Sequence, residues 1–368
     1  MALRGAGLKL ALVEAQPPAA AADAWDSRIY AISPGSAAFL QSLGVWKRID
    51  AGRTATVREM HISGDAANAQ LRFSAYDAGV AELASIVESN RLQAVLWQGL
   101  EHQHDLELIC PERCVALQIG EDAAELTLSS GRTLRAKLVV AADGMHSWAR
   151  QAAGIGAEVR PYGQMGVVAN FACARPHHET AFQWFRGDGV LAYLPLPGQR
   201  MSMVWSTSDA RAAELVALPQ GELCARVAEA GKQALGELDL LSAAMHFPLA
   251  WLRAARLAAP RIALIGDAAH VLHPLAGQGV NLGFGDARVL ALVLQQRELF
   301  RNPGDIRLLR RYERARAEDI LALSLVTDGL QRLFAASGAA AARLRNTGLN
   351  LTDALPVVKN LLIRRALG

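Results

Sequence analysis

This 368-residue chain has little cysteine, few aromatic residues and almost no net charge, and each shortage excludes something. Its four cysteines, Cys110, Cys114, Cys173 and Cys224, show no zinc spacing and no disulfide framework. Cys110 and Cys114 are separated by Pro-Glu-Arg with no second pair, so free thiols in a reducing cytoplasm are expected and no metal site. A net charge of +3, without Lys/Arg runs interleaved with aromatics, argues against nucleic acid. No run of about 18 apolar residues occurs, which excludes a spanning helix and leaves peripheral membrane contact open. No charged segment followed by an apolar one opens the chain, so no secretory signal is read. Charged residues are only 20% against 52% hydrophobic, which excludes disorder and leaves a globular chain long enough for two domains.

One more absence concerns the opening MALRGAGLKLALVEAQ. Gly5-Ala6-Gly7, an apolar run and Glu14 together suggest a dinucleotide fingerprint. A G-x-G-x-x-G must follow a strand and open a helix, whereas these glycines precede a strand, and position 10 is Leu where glycine is required. The ribose acid belongs about 20 residues after the glycines, so counting back from Glu14 places the glycine loop before Met1. The expectation is therefore a shortened N-terminus: 2–4 as a helix tail, 5–7 its cap and turn, 8–13 the second strand and Glu14 the acid.

What is present reads as an α/β chain. Residues 8–13 predict a parallel, doubly buried strand, and 36–43 a helix closed by Gly44. Alternation over 57–75 predicts hairpin strands, and 80–100 a helix with Leu83, Ile86, Val87, Leu92, Val95 and Leu96 as apolar positions. Residues 124–128 and 133–140 read as strands of a meander. Between 166 and 206 short strands alternate with turns, which predicts an antiparallel sheet. A helix over 222–235 follows, parallel-strand character returns at RIALIG, and the last 70 residues or so read as helical.

Two stretches carry chemistry. In RIALIGDAAHVLHPLAGQGVNLGFGDA (261–287) a strand ends in Gly266-Asp267, and Pro274 precedes Gly277-Gln278-Gly279 at the start of a helix. Such a helix start favours negative charge, and Asp267 is placed to accept hydrogen bonds from a polyol. His270 and His273 have an H-x-x-H spacing; without a third ligand they read as structural or ligand-proximal histidines. In LVVAADGMHSWAR (138–150) a second strand ends in Asp143-Gly144, with Ser147 and Arg150 following at helical spacing.

These residues resemble the two internal motifs of the flavoprotein aromatic hydroxylases, the family of p-hydroxybenzoate hydroxylase. More narrowly, GDAAHVLHPLAGQGVNLG, DSRIYAIS, IVESNRLQAVL, LAYLPLPGQRMSMVWS, LRRYERARAEDI and RNTGLNL are similar to the ubiquinone-biosynthesis hydroxylases, over the whole chain. The resemblance implies a Rossmann-like FAD-binding domain lacking its first strand and glycine loop, an antiparallel-sheet substrate domain and a helical C-terminus. It places the FAD domain at 1–48, 80–160 and 256–300, the substrate domain at 49–79 and 161–255, and the helical region at 301–368.

The implied activity is FAD-dependent monooxygenation of a polyprenylated phenol in ubiquinone biosynthesis. NAD(P)H is the transient reductant, and O2 reacts through a flavin hydroperoxide. By the same resemblance Glu14 holds the adenosine ribose, Arg28 and Gln93 lie along the pyrophosphate and ribityl, and Val115 touches adenine through its backbone. Asp143 and Asp267, with Gly144 and Gly266, bind the polyol. Pro274, Gly277, Gln278, Gly279, Val280 and Asn281 line the isoalloxazine. Trp184, Phe185, Tyr193 and Trp205 are expected in the substrate pocket; no side chain stands out as a general base, so no catalytic residue is assigned. The C-terminal Arg343, Arg345, Lys359, Arg364 and Arg365 beside Leu361, Leu362 and Ile363 form a basic amphipathic pattern suited to a lipid surface or a subunit of a quinone-biosynthesis complex. The missing glycine loop predicts weak FAD binding and opens an alternative, a non-enzymatic scaffold in such a complex.

Overall fold

The computed structural model describes residues 1–19, 23–64, 69–273 and 277–335. In chain order β1 (Leu10–Val13), β2 (Ile29–Ile32), α1 (Pro34–Ser42), β3 (Thr54–Val57), β4 (Glu59–Ser63), β5 (Gln70–Ser74) and the single turn α2 (Ala75–Ala78) come first. Next come β6 (Ala84–Glu88), α3 (Ser89–Glu101) and β7 (Leu106–Ile109). A meander of β8 (Cys114–Ile119), β9 (Ala124–Leu128) and β10 (Thr133–Ala136) leads to β11 (Val139–Ala141) and α4 (Trp148–Ala152). The middle holds β12 (Ala157–Cys173), β13 (Thr180–Arg186), β14 (Gly189–Leu196), β15 (Arg200–Thr207), α5 (Asp209–Ala217), α6 (Gln220–Ala230), β16 (Leu238–Leu240) and β17 (Met245–Ala254). Then follow β18 (Ala258–Ala259), β19 (Ile262–Leu264), β20 (His270–Val271), α7 (Gly279–Gln295) and α8 (Ile306–Ala335).

The parallel pairings expected near both ends are present. β1 runs parallel to β7, and β11 parallel to β19, Val139 opposite Ile262. β1 is not doubly buried, however: Ala11 is exposed and its neighbours half-buried, since among the described residues β1 pairs only with β7. The helix expected over 80–100 is corrected to strand followed by helix. Ile86 and Val87 are fully buried in β6, flanked on both sides by β2 and β3, and a β-branched run suits that central position. The strand expected over 133–140 divides at Lys137, where the chain leaves the meander to pair with β19. The helix expected over 222–235 ends at Ala230, and α5 precedes it unannounced.

Helix α1 shows how local sequence sets an element. Ser33 caps it by accepting from the Ser36 amide, Pro34 supplies its first turn, and Gly44 at φ +73° follows its end.

The expected antiparallel sheet grows to nine strands, ordered β20-β17-β12-β15-β14-β13-β4-β5, with β16 beside β12. Only β13 and β4 pair in parallel. Strand alternation divides its residues between two faces. On one, Val167, Phe171, Leu191, Tyr193, Met203 and Trp205 meet Leu215, Leu223 and Val227 of α5 and α6. A second core joins Ile262 and Leu264 to Leu290 and Leu294 of α7 and Leu308, Leu309 and Tyr312 of α8. The Tyr312 hydroxyl donates to the Leu264 carbonyl at 2.7 Å, and Trp251 Nε1 to Ser324 Oγ at 3.1 Å, so α8 is anchored to both sheets. No helix among the described residues is long and apolar enough to cross a membrane.

Candidate functional site

The turn after β19 is the most tightly held part of the site. Gly266 takes a left-handed φ of +58° and opens a short turn through Ala268. Helix α7 lies against it: a Cβ on Gly283 would stand 3.4 Å from the Gly266 Cα. Asp267, next in the turn, reaches solvent but is ringed by protein. That crowding raises its carboxyl above the ordinary 3.8, against the opposing pull of His270 and Arg28. Among the described residues no hydrogen bond is made to this carboxylate.

Pro274 lies outside the described residues. Gly277, at φ +61°, leaves only 3.2 Å between its would-be Cβ and that of Ala31. Gln278 precedes α7 without a side-chain cap, so the first amides of the helix, from Gly279 and Val280 on, meet no side-chain acceptor there. The Asn281 side chain is turned elsewhere. Its Oδ1 accepts from the Ser33 amide at 2.9 Å and its Nδ2 donates to the Ala31 carbonyl at 2.8 Å, clamping α7 to the end of β2.

The second motif is likewise internally bonded. Ser147 caps α4, its Oγ accepting from the Arg150 amide at 2.9 Å; exposed Asp143 backs that cap, accepting from the Ser147 hydroxyl and from the Ala149 amide at 2.9 Å. Gly144 turns beside it at φ +81°. Arg150 is 4% exposed and has no carboxylate partner among the described residues. Its guanidinium donates instead to the Ala268 carbonyl at 2.8 Å and the Met145 carbonyl at 3.1 Å, tying the two motif loops together.

Arg28 is exposed and close enough to Asp267 to act on its charge, so these two expected residues lie near one another. Gln93 is exposed and reaches Arg28 through Ser89: its Nε2 donates to Ser89 Oγ at 3.4 Å, and the Ser89 amide to the Arg28 carbonyl at 2.9 Å. Glu14, at the end of β1, accepts from the amides of Ala15 at 2.7 Å and Gln16 at 3.3 Å. Its carbonyl accepts from Glu112, two residues before β8. Val115 is 56% exposed on edge strand β8, and the register shift between Cys114 and Ala116 leaves its backbone out of the ladder. Cys114 in turn feels the Asp143 charge, which brings this edge beside the second motif.

Several structural residues were not foreseen. Fully buried Glu88 takes a bidentate bond from Arg53, 2.7 Å on each arm, and accepts from the Asp26 amide at 2.7 Å. Arg53 also lies 3.8 Å over the Trp25 ring. Asp26 accepts from the Arg28 and Asn90 amides, and its carbonyl from Asn170 of β12, so it seats Arg28 between the strand system and the large sheet. The acid in DSRIYAIS was the only available hint.

His270 and His273 do not converge on one point. His270 pairs with Asp286 at 2.6 Å; His273 meets Gln164 at 3.1 Å and the Tyr162 ring edge at 4.7 Å. Burial pushes His273 down to about 4, so it is neutral near pH 7. The expected pocket aromatics are also reassigned. Trp184, Tyr193 and Trp205 are 5% exposed or less and fill the core under α5 and α6, because their strand parity turns them to the helix face. Phe185, of the opposite parity, is buried as well.

Among the described residues, an exposed Arg28, an Asp267 carboxylate without a hydrogen-bond donor, helix amides without a side-chain cap and an unpaired Val115 backbone form a donor and acceptor set. It suits a ligand bearing phosphates, polyol hydroxyls and a base. Comparison with known proteins agrees with that chemistry. A family described as "FAD binding domain" matches residues 1–323. The chain is 34% identical to the 3-demethoxyubiquinol 3-hydroxylase of Escherichia coli, over 98% of this chain and 93% of that one. It is 33% identical to the ubiquinone hydroxylase UbiL of Rhodospirillum rubrum, over 100% of this chain and 86% of that one. Among solved structures, PqsL of Pseudomonas aeruginosa in complex with 2-aminobenzoylacetate superposes with a TM-score of 0.77, at 25% identity and 94% coverage of each chain.

Proposed function

Since the chain belongs to the family of proteins built on this FAD binding domain, we propose that it is an FAD-dependent aromatic-ring hydroxylase of ubiquinone biosynthesis. Its substrate is a polyprenylated phenol, with NAD(P)H as reductant and O2 as co-substrate. The observation that carries this reading is the similarity along nearly the whole chain to two hydroxylases of that class.

When bound, FAD supplies the reduction by NAD(P)H and the activation of O2 toward an electron-rich ring. The chain's own residues bind, orient and exclude water. Arg28, Gln93 and the loop and first turn of α7, from Gly277 to Asn281, hold the phosphate and ring side; Asp267, with Gly266 beside it, holds the polyol. Asp143, with Gly144 beside it, supports the polyol side next to the Ser147 cap of α4, and Glu14 and Val115 take the adenosine end. We assign 1–48, 80–160 and 256–300 to the cofactor domain, 49–79 and 161–255 to the substrate domain, and 301–368 to a C-terminal region, of which 336–368 lie outside the described residues.

We give the substrate the sheet face opposite the aromatic core, where Ala192 and Val204 are apolar and half-buried. Such a surface suits a ring with an apolar tail. The basic C-terminal pattern at Arg343, Arg345, Lys359, Arg364 and Arg365 lies outside the described residues. Peripheral contact with a membrane or with complex subunits is supported by Leu299 and Phe300, which stand 101% and 84% exposed.

The test is direct. Purified protein supplemented with FAD is expected to show a flavin spectrum and NAD(P)H oxidation stimulated by a prenylated phenol; a flavin-bound protein indifferent to every phenol tested would overturn the assignment. Liposome flotation of the intact chain, with Leu299→Ser/Phe300→Ser as comparison, tests the membrane contact, and equal flotation of both would remove these residues from it.

A further inference from the structure

Behind Asp267 lies a buried network that the cofactor contacts do not use. Asp286 of α7 is completely buried and accepts three bonds: from the Gly266 amide at 2.9 Å, from His270 Nε2 at 2.6 Å and from Arg316 Nε at 2.8 Å. Arg316, on α8, is 3% exposed; it also donates to the Leu282 carbonyl at 3.2 Å and pairs with Asp319 at 2.6 Å. Its guanidinium lies on Gly285, where a Cβ would come within 2.9 Å of Nη2. Removing three ionisable groups from water is costly, and a fold held together by helix packing alone has no need of them.

The arrangement surrounds one residue. Gly266, before Asp267, is held by its amide to Asp286; Ala268, after it, is held by its carbonyl to Arg150; His270, three positions on, is held by its ring to Asp286 again. Asp286 and Arg150, which hold this turn, are both buried, and the side chain between the fixed points that makes no hydrogen bond among the described residues is the Asp267 carboxylate, near Arg28. We propose that Asp286 and Arg316 are positioning residues for the cofactor. Arg316 holds Asp286 in its orientation, and Asp286 holds the turn so that the Asp267 carboxylate meets the polyol hydroxyls of FAD. The strength with which α8 is seated is thereby transmitted to flavin affinity.

The proposal rests on Asp267 being a cofactor contact, and a double-mutant cycle on the full chain separates the two ideas. FAD dissociation constants are measured by flavin fluorescence for wild type, Asp267→Asn, Arg316→Met and the double variant. Arg316→Met is expected to weaken binding roughly tenfold in the wild type and by less than about twofold once Asp267 is gone, since contacts acting through one group are not additive. The apolar pair Asp286→Leu/Arg316→Met leaves no orphaned charge and so keeps the apo fold as stable as wild type. It is expected to lose affinity as Arg316→Met does, while Arg316→Lys recovers part of it. If Asp267→Asn leaves affinity unchanged, the cofactor reading of Asp267 falls and this proposal with it. If Asp267→Asn weakens binding but the two changes add, or if the apolar pair binds FAD like wild type, the positioning role alone is overturned.

Discussion

Replacing Asn281 with alanine tests whether the loop before α7 hangs from β2 as described. The side chain makes two short bonds, 2.9 Å from the Ser33 amide and 2.8 Å to the Ala31 carbonyl, and two longer ones of 3.4 Å to Gly277 and Gln278. The two backbone groups bracket Ile32, which is fully buried, so water does not simply replace the lost partner. At about 1 kcal/mol for each short bond, and more where a backbone group is left unsatisfied, the loss is about 2–3 kcal/mol. Urea unfolding followed by tryptophan fluorescence reads this as a lower midpoint at unchanged slope. Asn281→Asp sharpens the test. It keeps an oxygen for the Ser33 amide but sets a second oxygen against the Ala31 carbonyl, so it is expected to be at least as destabilising as alanine. A loss under about 0.5 kcal/mol for Asn281→Ala, within the range of ordinary surface substitutions, refutes the clamp.

Three further outcomes follow from the same geometry. Arg53→Met leaves the fully buried Glu88 without its bidentate partner and is expected to cost about 3–5 kcal/mol in urea unfolding; a second change, Glu88→Gln, should restore part of that, and no restoration would show that the charge is not the cause. Gly189→Ala places a Cβ 1.9 Å from the Ser206 carbonyl oxygen at a φ of +134°, so more than about 3 kcal/mol and loss of soluble expression are expected. His273 makes a pH prediction. Burial lowers it from 6.5 to about 4 in the folded chain, so the unfolded chain takes up the proton first. The stability tied to its neutral form is full above about pH 6.5 and is lost as pH falls toward 4, about 3 kcal/mol in all. His273→Gln should flatten that part of the stability profile, and superimposable profiles would contradict the assignment.

Much of the site was legible because its signals are local. Gly266-Asp267 and Asp143-Gly144 at strand ends, and Gly277-Gln278-Gly279 before a helix, are turn and cap chemistry, which depends on neighbours in sequence. Arg28 was legible only through the resemblance of DSRIYAIS, since an isolated arginine has no pattern of its own. The misreadings have a common cause. Ile86 and Val87 fit helical spacing as well as strand, and only the presence of β2 and β3 on either side made the strand the better burial. Trp184, Tyr193 and Trp205 were correctly read as strand residues, but alternation specifies two faces without saying which one the helices cover.

The amino-acid sequence alone determined the elements with strong local codes: the body of α1 and its Gly44 end, the parallel strands at RIALIG and LKLALV, and the alternating strands between 166 and 206. It also determined the chemical class of ligand expected, because the acids and glycines proposed to meet a flavin nucleotide sit at turns only a few residues long. The tertiary structure decided what each polar side chain does with its hydrogen bonds. Asn281 faces β2, Asp143 backs the Ser147 cap of α4, and Asp267 alone of the expected acids makes no side-chain hydrogen bond among the described residues. It also brought Arg316 to Asp286 and Arg150 to Ala268, across 30 and 118 residues. Such pairings are set by how helices and sheets pack, and packing is a property of the whole chain that no short stretch contains.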